Sequence, residues 1–263
     1  KATGEPALCI LHDLVGLMNG TMGIYNAWAD HAPMVILGGS GPLDPSKRRP
    51  IEWLHSARSQ SDMVKGYVKW TAEPSTPQAI MDTILEAKRI AATSPYGPTY
   101  VSIDCALQES DDLSGFVIPD LSADRYAPPP PIAADPESLS MAAAKILAAK
   151  SPLIVGGRIG IDAATTKPLV ELVEQTGAAY QDDWRSVSFP TAHPQNLTGD
   201  GATLDAADVV VTFDCLDVSD VVGISRMMAA KGSAAVHAHK WPTIIDFSAN
   251  ILARSTWSDF GDN

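Results

Sequence analysis

His12 is the residue whose type and place could do chemistry. It follows the apolar run "ALCIL" and precedes "DLVGLMNGTMG", which puts it at the carboxyl end of a predicted strand, the edge where open α/β sheets bind ligands. An imidazole there can accept and return a proton near neutral pH. Position alone favours a plainer role, a partly buried histidine bonded to loop backbone. Gly16, Gly20 and Gly23 come next, and small residues at a strand-to-helix turn let backbone amides approach an anion. Their spacing fits neither G-x-G-x-x-G nor the P-loop, so the expected role of Gly20 and Gly23 is close packing against a neighbouring helix.

Other stretches offer weaker chemistry. Gly156, Gly157 and Gly160 in "IVGGRIGIDAA" follow a strand without the dinucleotide spacing, which predicts a tight turn with no ligand. "GDG" at 199–201 has the start of a motif in which Asp and a later Asn hold Mg²⁺ on a diphosphate. No Asn occurs between Asn196 and Asn250, and a strand is predicted almost at once after Gly201, so Asp200 reads as a loop residue. His237 and His239 alternate along a predicted strand, a spacing two metal ligands can use, but no third ligand is identifiable. "DDW" (182–184) and "HPQN" (193–196) are polar loops without a partner at motif spacing, and the basic "SKRRP" (46–50) reads as a solvated loop. G-x-S-x-G, H-E-x-x-H and C-x-x-C do not occur.

The elements that would position these residues alternate between strand and helix. "ALCILH", "GLMNGTMGIYNAWADH" and "PMVILGG" read as a βαβ unit with a buried parallel sheet; "TPQAIMDTILEAKRIAAT" is an amphipathic helix and "GPTYVSIDC" a closing strand. A proline-rich segment ending in "APPPPIAADP" follows, where locked φ angles and missing amide donors forbid helix and central strand. The second block repeats the alternation: helix "ESLSMAAAKILAAK", strand "PLIVGG", helix "DAATTKPLVELVEQTG", strands "AAYQD" and "ADVVVTFD", helix "VSDVVGISRMMAAKG" and strand "AAVHAH". The predicted class is α/β, with two doubly wound parallel-sheet domains, the second Rossmann-like.

Bulk properties narrow the function classes. The 263 residues suffice for two domains, and 45% hydrophobic with 19% charged residues is a globular balance. A net charge of −12 would repel a phosphate backbone, which argues against nucleic acid as a partner. No apolar run has membrane-spanning length. Cys9, Cys105 and Cys215 each adjoin an apolar run and read as buried strand thiols in a reducing, cytoplasmic setting. The N-terminus "KATGEPA" carries neither an initiating Met nor the features of a signal peptide, which suggests a processed or cut chain.

Taken in series, residues 1–39, "VKWTAEPSTPQAIMDTILEAKRIAATSPYGPTYVSID", "PLIVGGRIGIDAATTKPLVELVEQTG" and "FPTAHPQNLTG" resemble the thiamine diphosphate-dependent 2-oxo-acid decarboxylase and carboligase superfamily, whose members include benzoylformate decarboxylase, benzaldehyde lyase and acetolactate synthase. The resemblance covers nearly the whole chain. It implies a partial pyrimidine-binding domain over 1–107, a Pro-rich linker over 108–136 and a central α/β domain over 137–263. It also implies that the catalytic glutamate lies before Lys1 and the diphosphate domain after Asn263. His12 matches an active-site histidine of benzoylformate decarboxylase, in the role of general acid and base. Leu14, Gly16 and Asn19 fall on the cofactor-binding stretch, and Asn26 and Asp30 support the loop or a dimer contact. A second active-site histidine of that enzyme would fall near Val221 and has no counterpart, which bears against benzoylformate itself as substrate.

The implied complete enzyme decarboxylates 2-oxo acids and/or forms C–C bonds through an enamine intermediate, using thiamine diphosphate and Mg²⁺. Its partners would be a small 2-oxo acid or aldehyde and further copies of itself in a dimer or tetramer. The chain alone is expected to bind no cofactor, FAD included, and to self-associate. The competing expectation is a non-catalytic structural or interaction protein that kept these two domains.

Overall fold

The computed structural model describes residues 3, 5–183 and 186–249; Trp184, Asn250 and the remainder of the expected central domain lie outside the described residues. The chain divides into two compact units, Lys1–Pro131 and Ile132–Asn263. Each carries one four-stranded, all-parallel sheet.

The first unit runs β1 (Ala7–Leu11), α1 (Asp13–Ala29), β2 (Met34–Ser40), α2 (Glu52–His55), β3 (Trp70–Ala72), α3 (Pro77–Ala91), β4 (Pro98–Asp104) and α4 (Cys105–Gln108). The sheet order is β1-β2-β4-β3. Register places Cys9 beside Ile36 and Ile36 beside Tyr100, and this row packs under Leu17 and Ile24 of α1. Val35, Val101 and Ile103 point the other way, onto Ala87 and Ala91 of α3. Alternate residues of one strand therefore feed two cores, which is why the strands read as continuous apolar runs. α3 starts where the Thr76 hydroxyl accepts from the Ala79 N–H with Pro77 behind it, a pairing that fills a free amide and presets φ.

The second unit runs α5 (Pro136–Ala148), β5 (Pro152–Gly156), α6 (Thr166–Thr176), β6 (Ala179–Asp182), α7 (Gly201–Ala206), β7 (Val209–Phe213), α8 (Val218–Val221), α9 (Ile224–Lys231), α10 (Ser233–Ala238) and β8 (Thr243–Phe247), with sheet order β6-β5-β7-β8. Ile154, Tyr180 and Val211 pack on α5 and α6 through Ile146, Leu169 and Val173. Leu153, Val155 and Val210 face Val222, Ile224 and Val236 on the opposite side. Both units thus have the α/β class expected from the sequence.

Several details differ from the sequence reading. "AAVHAH" is the end of helix α10, not a strand: its alanines favour helix, and the chain enters from Gly232 at φ 78. The last strand is "TIIDF" instead, parallel to β7. The helix predicted over 218–232 breaks into α8 and α9 around Gly223, whose φ is 83. A six-residue helix, α7, precedes β7 where a strand was expected almost directly, because the Asp200 carboxylate accepts from the Ala202 N–H and starts a turn. In the proline-rich region, the Val117 N–H donates to Gln78 on α3 at 2.9 Å, so part of the expected linker is fastened to the first unit.

Cys9 and Cys105 are half-buried, and only Cys215 is buried. β1 is an edge strand, which opens Cys9 to one side, and the Asp104 carboxylate caps α4, turning the chain outward at Cys105. No helix among the described residues is long and apolar enough to cross a membrane.

Candidate functional site

His12 is the hinge between β1 and α1. Its backbone is extended (φ −72°, ψ 118°), and its carbonyl accepts the first helical bond from the Gly16 N–H at 2.5 Å. Its side chain is exposed and caps nothing. Asp13 begins α1 at φ 24°, an uncommon backbone state for a residue with a side chain. Its carboxylate lies over Gly39 at the end of β2, where a Cβ would overlap Asp13 Oδ1. Only glycine lets the start of α1 approach the sheet edge this closely.

His55, the last residue of α2, completes the arrangement. Its ring meets that of His12 edge to face, with centroids 5.1 Å apart and planes at 78°. No motif spacing linked His55 to His12 in the sequence. The loop from β2 folds α2 back over the carboxyl end of β1, held in part by Ser56 Oγ accepting from the Gly41 N–H at 2.7 Å. Beneath lies a polar seam: buried Gln60 donates through Nε2 to the Gly39 carbonyl at 2.6 Å and to the Tyr100 hydroxyl at 3.4 Å. Burial raises the Tyr100 phenol above its ordinary value, so it serves as a neutral partner.

The other predicted positions take defined places. Leu14 is half-buried on the first turn of α1. A Cβ at Gly16 would press on the Leu11 backbone at 3.1 Å and on His12 Cβ at 3.2 Å. Asn19 is exposed and donates to the Val15 carbonyl at 2.8 Å. Gly20 and Gly23 do not meet a neighbouring helix: a Cβ at Gly20 would meet Leu11 on β1 at 2.9 Å, and one at Gly23 no described atom within 4 Å. α1 lies on its own sheet, so the small residue serves helix-on-strand packing.

In the second unit Gly156, Gly157 and Gly160 are taken up by packing. Gly157 donates to the Phe213 carbonyl at 2.8 Å, and a Cβ on it would overlap the Asp214 carbonyl. The strand order turns between β5 and β7, the place where such sheets usually take ligands, and here the backbone of 213–215 closes that crevice against Gly157. Cys215 sits below it, its thiol pushed up to about 12 by burial, with Asp183, Asp246 and Asp214 adding negative charge. The two polar loops that had no partner in the sequence do meet: Asp182, Asp183, Asn196 and Thr198 line one cavity of about 490 Å³. Asp182 is already engaged there, accepting from the Tyr180 hydroxyl at 2.8 Å and the Ser188 N–H at 2.7 Å. His237 donates through Nδ1 within its own helix to the Ser233 carbonyl, 2.7 Å away, and shares no strand face with His239.

Residues 1–63 match the family described as thiamine pyrophosphate enzyme, N-terminal TPP binding domain. The chain is 27% identical over 226 residues to benzoylformate decarboxylase from Pseudomonas aeruginosa, covering 80% of this chain and 40% of that protein. It is 26% identical over 214 residues to 2-hydroxyacyl-CoA lyase 1 from Mus musculus, covering 80% of this chain and 36% of that one. The crystal structure of benzoylformate decarboxylase from Polynucleobacter necessarius shares the fold, with a TM-score of 0.68 at 22% identity over 81% of this chain and 40% of that chain. The chain thus spans about 40% or less of the length of these relatives. In sequence the chain is similar to a benzoylformate decarboxylase and a 2-hydroxyacyl-CoA lyase, with its first 63 residues matching a thiamine pyrophosphate-binding domain, and in fold it is similar to a further benzoylformate decarboxylase.

Proposed function

We propose that this chain supplies the pyrimidine-side wall of an active site in an enzyme that uses thiamine diphosphate and Mg²⁺ to decarboxylate a 2-oxo acid and/or to join the product to an aldehyde. The observation that carries the reading is His12: an exposed imidazole with no capping bond, at the carboxyl edge of a parallel sheet, inside the stretch matched by the cofactor-binding family. The donor set fits one side of such a pocket. His12 brings a nitrogen able to hold a proton, and half-buried Leu14 brings apolar surface at the start of α1. Gly16 keeps the first turn tight against Leu11, which aims that turn at the sheet edge. Asn19 lies one turn further along the exposed side.

When bound, the cofactor supplies the electron sink for loss of CO₂. The task of His12 Nδ1 or Nε2 is to give a proton to the developing oxyanion of the substrate and to take that proton back from the hydroxyl before release. Leu14 excludes water from that face, which strengthens each charge interaction inside. The Mg²⁺ ligands, the substrate and the assembly of several copies about a shared site belong to the same proposal, as do the domain bounds 1–107, 108–136 and 137–263 and a cytoplasmic location.

The test is the protein translated from its complete reading frame, given thiamine diphosphate, Mg²⁺ and a panel of 2-oxo acids. CO₂ release that depends on the cofactor is expected, and His12→Ala should lower kcat by about 10²- to 10⁴-fold, the range for loss of a general acid–base. Cofactor-independent silence across the panel overturns the reading. So does a reading frame with neither a glutamate-bearing helix before Lys1 nor Gly-Asp-Gly with a later Asn after Asn263.

A further inference from the structure

We propose that His12, Asp13 and His55 form a site for one divalent transition-metal ion of the zinc class. The three offer one ligand atom each, two imidazole nitrogens and a carboxylate oxygen, all within 4.8 Å of one another. They reach this point from two elements: His12 and Asp13 from the start of α1, and His55 from the end of α2. Among the described residues, the side chains of these three make no hydrogen bond with the protein. Two imidazoles therefore face each other and an adjacent carboxylate with their lone pairs unengaged, the one arrangement of its kind among the described residues.

The ligand types select the ion. Imidazole nitrogen suits Zn²⁺, Fe²⁺, Ni²⁺ and Cu²⁺, while Mg²⁺ and Ca²⁺ demand several oxygens and find a single carboxylate here. A tetrahedral zinc with bonds of about 2.0–2.1 Å needs its ligand atoms roughly 3.3 Å apart. The exposed His12 ring and half-buried His55 can close that difference by side-chain rotation alone. Asp13, whose carboxylate lies over Gly39, provides the negative charge. Three protein ligands leave one position for water or for a small oxygen ligand. An ion held there takes the lone pair of the imidazole that the proposed reaction uses for proton transfer, so occupancy and acid–base work at His12 exclude each other. The inference requires no cofactor and stands or falls apart from the proposed reaction.

The test titrates Zn²⁺ into the metal-stripped chain by calorimetry and Co²⁺ by proton NMR. One equivalent of Zn²⁺ should bind saturably, and Co²⁺ should shift the ring protons of both His12 and His55. His55→Ala, or His55→Gln if the alanine variant loses its circular dichroism, should weaken Zn²⁺ at least about tenfold, the scale lost even when a group that merely orients a ligand is removed. Asp13→Asn should weaken it similarly, while His237→Ala on α10 should leave it unchanged. Absence of one-to-one binding overturns the site, as does wild-type affinity in a folded His55 variant or paramagnetic shifts on neither histidine.

Discussion

At the scale of single residues, burial decides which groups are chemically available. Cys215 lies under the loop after β7 with its thiol raised to about 12, whereas Cys9 and Cys105 are half-buried. Since the thiolate is the nucleophile, native protein at pH 8 should lose two thiols to iodoacetamide and the third only after unfolding; rapid loss of all three would contradict the burial of Cys215. Lys69 shows the opposite sign. Its ammonium donates to the Ile90 and Thr93 carbonyls at the end of α3, 2.5 and 2.6 Å away, yet desolvation pulls it down to about 8. Between about 8 and the usual lysine value of 10.5 the unfolded chain holds more protons than the folded one, so stability rises with pH through that window. The melting temperature of wild type relative to Lys69→Met should therefore climb from pH 8 to pH 10, and a flat difference would refute the assignment. Neither effect was legible in the sequence, where Cys215 and Cys9 look alike.

At the scale of elements, the sheet edges carry the consequences. Among the described residues β1 pairs only with β2, and its Leu8 and Ile10 are 62% and 74% exposed while Cys9 and Leu11 face the core under α1. Along α1, Met18 and Met22 are also exposed, at 58% and 65%. Open apolar edges of this kind invite pairing with another chain. The chain should run larger than a monomer in light scattering at micromolar concentration, and Ile10→Lys should shift it toward monomer; a clean wild-type monomer would oppose this. In the second unit the turn after β5 tolerates no side chain at position 157, because a methyl would overlap the Asp214 carbonyl. Gly157→Ala should cost roughly 1–3 kcal/mol in urea unfolding, as overpacking of a rigid neighbour does. The sequence marked this turn as tight through its glycines, but not what fills it. It also misassigned "AAVHAH", since one β-branched residue among alanines and histidines carries no period of two, and it passed over the short strand "TIIDF".

At the scale of the whole molecule, two units with separate cores are joined through a stretch in which Leu113, Val117, Ile118, Leu121 and Ile132 are all more than half exposed. Thermolysin, which cuts before such residues, should make its first native-state cleavages between 113 and 132 and leave both sheets protected; first cuts inside a sheet would contradict the division. The alternation of apolar runs with amphipathic segments determined by itself the α/β class, both parallel sheets and the position of His12 at a sheet edge, because burial on two faces imposes that pattern locally. What it could not determine was proximity between distant segments. Only the tertiary structure brought His55 beside His12 and Asp13, closed the β5–β7 crevice with the backbone after Phe213, and left one side of β1 bare. Those outcomes depend on how loops fold back and which helix reaches which strand, and no residue's immediate neighbours in the chain encode them.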